Sequence, residues 1–169
     1  LFFAGCVATG IFGIGRKIPM NRVNDLGQRE GYWRDSVGGG FVYDLYYKGG
    51  KKDGLYKRFY RNKLFLFGEY TADNISGTWY MFGDEGELRC TIDSIELNKD
   101  SIYTGYCRIF CKYKCYCADY YPSGAVKSEG YMVCDEDFMV DFWEIGEWKY
   151  YDESGNLIKT KDYGDRRTP

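Results

Sequence analysis

The chain has 169 residues, 44% hydrophobic and 28% charged, with a net charge of −2. That length suffices for one domain with its own core, and the charge balance speaks against nucleic acid as the main partner. Histidine is absent, which excludes Ser-His-Asp and Cys-His nucleophilic systems and every His-ligated metal centre.

The amino terminus comes first and differs from the rest. Leu1 to Gly15 carries no charge, and Arg16-Lys17 and Pro19 follow it. Phe3-Ala4-Gly5-Cys6 resembles the end of a bacterial lipoprotein signal, in which small residues precede a cysteine that is cleaved at and acylated. On that reading Cys6 is a lipid attachment site and the chain sits on the bacterial cell envelope. The rival readings are the tail of a transmembrane or signal segment, since 15 residues fall short of a full span, and an ordinary buried strand. Residues 1–28 are therefore read as an apolar segment and linker.

A repeat begins at residue 29. Gly31, Gly54 and Gly77 stand 23 residues apart, each followed two positions later by a large aromatic (Trp33, Tyr56, Trp79), and the pair returns as Gly146 and Trp148 three periods on. A fixed period of this size marks one supersecondary unit copied along the chain. Gly77 to Phe82 runs into Gly83-Asp84-Glu85-Gly86-Glu87-Leu88, and Gly146 to Tyr151 runs into Asp152-Glu153-Ser154-Gly155-Asn156-Leu157. Both read as strand, turn, strand, with the turn glycine accepting a positive φ. Tyr121-Pro122-Ser123-Gly124 is a further turn, Arg61-Asn62-Lys63 another with Asn62 left-handed, and Val37-Gly38-Gly39-Gly40 a hairpin turn or bulge without the sequel of a phosphate loop.

A lone hairpin is marginal in water, so each copy must bury its aromatic face against its neighbours. Aromatics make up 20% of the chain, with 22 Gly and only 3 Pro. The expected fold is all-β: an antiparallel meander of repeated β-hairpins with about ten strands, spanning 29–163, followed by a polar tail at 164–169. The ladder residues Gly31, Trp33, Gly54, Tyr56, Gly77, Trp79, Gly146 and Trp148 are read as structural, packing one copy on the next. The rival reading makes the rings a platform for sugars or quaternary amines.

The pattern Gly-x-Trp/Tyr-x-x-Phe/Tyr, a turn ending in Gly, then Leu/Val and a charged strand, resembles the MORN-type repeat in its bacterial YwqK-like variant. The resemblance covers roughly 29 to 94 and 117 to 163, and 95 to 116 fit poorly. It implies a repeat sheet that scaffolds other proteins, at membranes in the eukaryotic cases, and an antitoxin label in the bacterial variant. The period is read as lengthened copies followed by a shortened one.

Seven cysteines remain to be placed. Cys107, Cys111, Cys115 and Cys117 share parity in a strand-like run, hence one face, at steps of roughly 6.6 or 13 Å, of which the longer exceed disulfide reach. Only Cys90 and Cys134 are left as partners; either a turn breaks the run near Tyr113-Lys114 or several thiols stay free. The spacing lacks the Cys-x-x-Cys knuckle of a zinc site, and neither metal nor cofactor is expected. Small apolar filler on a buried strand face is the alternative use.

Asp135-Glu136-Asp137 with Asp141, Glu144 and Glu147 is the densest acidic stretch, open to use by a small carboxylate-based hydrolase or for calcium, and more commonly a solvated edge. The basic residues Lys48, Lys51, Lys52, Lys57, Arg58, Arg61 and Lys63 make one region of the sheet positive. The expected function is a non-enzymatic repeat scaffold that binds a protein partner. Tyr106, Phe110 and Tyr116, opposite the cysteines in the irregular segment, are the expected contact residues. Rivals from other classes are a glycan-binding envelope module, an antitoxin-like neutralising protein and the hydrolase.

Overall fold

Alternating apolar and polar residues broken by short turns, most of them with a glycine, build one element type throughout the described residues. The computed structural model describes residues 19–99, 111–135 and 142–164. They form β1 (Arg22–Val23), β2 (Arg29–Ser36), β3 (Phe41–Lys48), β4 (Lys51–Tyr60), β5 (Lys63–Thr71), β6 (Asn74–Phe82), β7 (Leu88–Leu97), β8 (Tyr113–Tyr120), β9 (Val126–Cys134), β10 (Phe142–Tyr151) and β11 (Leu157–Asp162). All are antiparallel in one open sheet whose spatial order is the chain order. The expected meander is thus present with eleven strands, the first of them a two-residue edge in the stretch before Arg29.

The turns explain why the chain reverses where it does. Gly49-Gly50, Arg61-Asn62 and Ala72-Asp73 each place two consecutive residues at positive φ, the conformation whose twist matches that of the flanking strands. The longer turns repeat one design four times: Asn24 N–H donates to Gln28 O, Gly83 N–H to Glu87 O, Tyr121 N–H to Ala125 O and Asp152 N–H to Asn156 O, at 2.9 to 3.0 Å. In each, the glycine at the fourth position (Gly27, Gly86, Gly124, Gly155) is left-handed.

The 23-residue period holds through β2, β4 and β6 and then stretches. β6 starts at Asn74, β8 at Tyr113 and β10 at Phe142, so among the described residues the three periods between Gly77 and Gly146 hold two hairpin units, the second shorter than the first. The added length falls in the β7–β8 and β9–β10 connections. Both join strand ends on the same side of the sheet, where Leu97 pairs with Tyr113 and Cys134 with Phe142.

Gly54, Gly77 and Gly146 sit at bulges, whereas Gly31 pairs regularly with Tyr47 in the β2–β3 ladder. Gly31, Gly54, Gly77 and Gly146 all have positive φ. In the β5–β6 ladder Phe67 faces Tyr80 but Glu69 faces Ser76, so the stretch from Gly77 to Trp79 lies against Gly68 alone. The β9–β10 ladder repeats this, with Tyr131 opposite Ile145 and Glu129 opposite Lys149, leaving Gly130 under Trp148. A bulge of this kind needs a residue that enters the left-handed region at no steric cost, and it re-aims the side chain that follows.

Most of the core lies on one face. Leu45, Tyr47, Tyr56, Leu66, Tyr70, Ile75, Trp79, Ile92, Tyr113, Met132 and Trp148 are buried there, with Trp33, Tyr43, Met81, Tyr150 and Tyr163 packed against them. Trp79 and Trp148 expose only 1% and 4% of their surface. Rings meet edge-on or tilted: Tyr56–Trp79 at 5.4 Å and 37°, Tyr70–Trp79 at 5.3 Å and 89°, Trp33–Tyr47 at 5.9 Å and 73°. A smaller cluster of Cys111, Val133 and Ile145, with Trp143 beside it, occupies the second face.

Candidate functional site

The site is built on the core face where β6 to β10 run side by side. Its floor is a row of residues aligned across five strands: Met81 of β6 faces Cys90 of β7, Cys90 faces Asp119 of β8, Asp119 faces Ser128 of β9 and Ser128 faces Tyr150 of β10. Ile92, Met132, Phe142, Glu144 and Trp148 complete the lining of a groove of about 380 Å³, with Lys127 at its rim. The Trp148 bulge shapes it, because the indole lies over Gly130 and donates Nε1–H to Tyr131 O at 2.8 Å.

Thiols mark this floor. Cys90 and Cys117 approach to 3.3 Å between sulfurs, and one step along the sheet Cys115 and Cys134 approach to 3.5 Å. Cys90 and Cys134 are the two partners that parity leaves to the β8 cysteines. Each pair is diagonal, since Cys117 faces Ile92 and Cys115 faces Met132. The expectation that Cys111 shares their face is corrected: β8 begins only at Tyr113, and Cys111, two residues before it, turns into the second-face cluster, where its carbonyl accepts Asn98 Nδ2–H at 2.8 Å. Cys107 and Cys6 lie outside the described residues.

The electrostatics follow from burial and contact. The hydrogen bond from Cys90, then burial, pushes the Cys117 thiol far up, and the bond with Cys134, then burial, does the same to Cys115. Asp119 accepts the Ser128 hydroxyl at 2.9 Å and lies with the Cys90 and Cys117 sulfurs in one group, all ligand atoms within 4.8 Å of one another. Burial, then the 2.8 Å contact with Tyr163, pushes the Tyr150 hydroxyl up to about 12. Two thiols, a carboxylate and an open apolar volume can take up an ion or an apolar side chain.

The other residues singled out from sequence fall in three places. Trp79, Tyr56 and Trp148 are core, and Trp33 is half-buried, with Arg29 4.5 Å above its ring. Tyr116 sits on the second face, opposite Cys115 and Cys117, edge-on to Tyr131 at 5.2 Å and 79°. Tyr106 and Phe110 lie outside the described residues, as do Glu136, Asp137 and Asp141 of the acidic stretch. The basic residues are spread over rings: Arg58 stands 4.5 Å from Phe41 and 5.1 Å from Tyr43, and Lys52 4.6 Å from Tyr70. On the second face Arg34 grips Asp44 with both nitrogens, at 2.5 and 2.6 Å. Burial alone would raise the Asp44 carboxyl, but the Arg34 and Tyr32 hydrogen bonds outweigh it and hold it below the usual range.

The groove escapes sequence reading because Met81, Cys90, Asp119, Ser128 and Tyr150 come from five strands, and only the register aligns them. No family model, curated protein or solved structure matches the chain.

Proposed function

We propose that the chain is a non-enzymatic repeat scaffold that recognises a protein partner through the second face of its sheet, around Tyr116 and Tyr131. The observation that carries this reading is the aromatic patch itself. Tyr131 is 47% exposed, Tyr116 braces it edge-on and Lys114 lies 5.5 Å over its ring. Tyr151 donates to Glu129 at 2.6 Å alongside. Rigid tyrosines framed by charge are what interface hot spots use, because they bury a large area at small entropic cost. Tyr46 and Leu55, also exposed, continue the same face. The MORN-type resemblance supports the scaffold role, and Cys6 supplies the envelope tether in the same proposal.

A flat glycan platform is less well supported, since the described ring pairs around Trp33, Trp79, Tyr116 and Trp148 are tilted or edge-on. The hydrolase reading has one observation in its favour: Asp119 and Glu144 line the same groove. It predicts a glycosidase or esterase activity lost in Glu144→Gln.

The test of the scaffold uses the chain as bait, with Tyr116→Ala and Tyr131→Ala beside it. Both variants should lose the captured protein, the loss corresponding to about 2 kcal/mol or more per hot-spot ring, while their thermal melts match the parent. A captured protein that both variants retain removes this face from the footprint. A toxin among the captured species, neutralised in trans, would select the antitoxin-like form of the same reading. Intact-mass analysis of native protein tests the tether: acylated Cys6 at the start of the chain is expected, and unmodified Cys6 behind Leu1 to Gly5 rules it out.

A further inference from the structure

We propose that Cys90, Cys117 and Asp119 form a binding site for a single divalent ion of the zinc class, with two sulfurs and one carboxylate oxygen as ligands and a groove water in the fourth position.

Three observations converge on it. The ligand atoms already lie within 4.8 Å of one another, and the sulfurs are 3.3 Å apart. A tetrahedral ion with metal–sulfur bonds of about 2.3 Å holds its thiolates about 3.8 Å apart, so a few tenths of an ångström of rotamer adjustment suffice. The Asp119 carboxylate is steadied from behind by the Ser128 hydroxyl at 2.9 Å, the outer-shell support that ligating carboxylates commonly have. Beside the three ligands lies the groove of about 380 Å³, which gives an ion an entry path and room for water.

A disulfide is the competing use of two close thiols, and the register disfavours it. Cys90 faces Asp119, and Cys117 is its diagonal neighbour. Diagonal residues stand about 7 to 8 Å apart, whereas a disulfide wants Cα atoms within about 6.8 Å. An ion with an arm to each sulfur bridges the gap without moving the backbone. The second thiol pair, Cys115 and Cys134, is fully buried and has no carboxylate grouped with it among the described residues, so it is the internal control.

The chemistry balances simply. Both thiols lose their protons to solvent, two metal–sulfur bonds replace two S–H bonds, and the ionised carboxylate adds the third ligand. The product carries one negative charge, which Lys127 at the groove rim offsets. Because both thiols must give up their protons to bind the ion, occupancy should fall on acidification.

The experiment is cobalt(II) titration of the reduced full chain, followed by displacement with zinc(II). Expected are one equivalent of cobalt with near-ultraviolet thiolate-to-metal charge transfer, two protons released per ion into weak buffer, and displacement by zinc. Cys90→Ser and Cys117→Ser should abolish the band, Asp119→Asn should weaken binding by about 10- to 100-fold, and Cys134→Ser should leave it intact. Absence of the band in the folded parent, or its survival in Cys90→Ser, overturns the site. Should the serine variants not fold, Asp119→Asn decides: zinc must raise the melting temperature of the parent by more than that of this variant, and an equal rise in both overturns it.

Discussion

At the scale of single residues, two glycines without a repeat signature carry as much of the fold as those with one. A Cβ built on Gly68 would sit 2.2 Å from the Trp79 ring, and one on Gly130 would sit 2.5 Å from Trp148. Each indole rests on a bare backbone, and the neighbour that would have to yield is a ring with at most 4% exposure. Gly68→Ala and Gly130→Ala should therefore cost about 1 to 3 kcal/mol each by overpacking. Gly155→Ala meets open space and should cost only about 1 kcal/mol through its positive φ. Trp79→Ala should cost about 3 to 5 kcal/mol. Urea denaturation of the four variants checks the order, and a neutral Gly68→Ala would mean that the indole is not seated there.

At the scale of elements, β7, β8 and β9 are joined by thiols as well as by their ladders. Cys115 and Cys117 are held protonated in the folded chain. A group whose native pKa is raised contributes stability that is complete below its unfolded value, about 8.5 for a thiol, and that is lost as pH rises from there towards the native value. The metal-free protein should lose stability between about pH 8 and 10. The Cys115→Ala variant should show a shallower loss over the same window, measured by denaturant midpoints. An equal slope in parent and variant would assign the alkaline loss to other groups. The same three strands bound the lengthened connection from β7 to β8. The sequence locates this irregularity at Ile95 to Cys117 because the period fails there, although β8 itself resumes regular pairing from Tyr113.

At the scale of the whole molecule, the sheet has no second layer among the described strands, and each strand pairs with its chain neighbours. Stability in such an array is carried by nearest-neighbour contacts and need not be uniform. β11 is exposed along its full length, and β1 has two residues, whereas β6 to β9 hold Trp79, Ile92, Tyr113 and the four paired thiols. Native-state hydrogen exchange should show the slowest amides in β6 to β9 and early opening at β1 and β11. Uniform protection across all strands would contradict this gradient. The β11 edge guards itself with Lys159 and Lys161, whose ammonium groups lie 4.6 and 4.0 Å from the Tyr150 and Tyr163 rings, a common defence against stray strand pairing.

What the sequence determined by itself is whatever depends on local chemistry. Strand content, the turns at Asn62, Gly86, Gly124 and Gly155, the antiparallel meander and the period through Gly31, Gly54 and Gly77 follow from φ preferences and alternation within a few residues. What only the tertiary structure decided is which residues meet across the ladders. Trp79 over Gly68 and Trp148 over Gly130 depend on bulges that shift register, and Cys90 against Cys117 and the five-strand row from Met81 to Tyr150 on pairing between strands distant in sequence. A one-residue slip in pairing moves every side chain of a strand to the other face. Composition and spacing do not specify that slip; the fit of a tryptophan ring onto a bare glycine does.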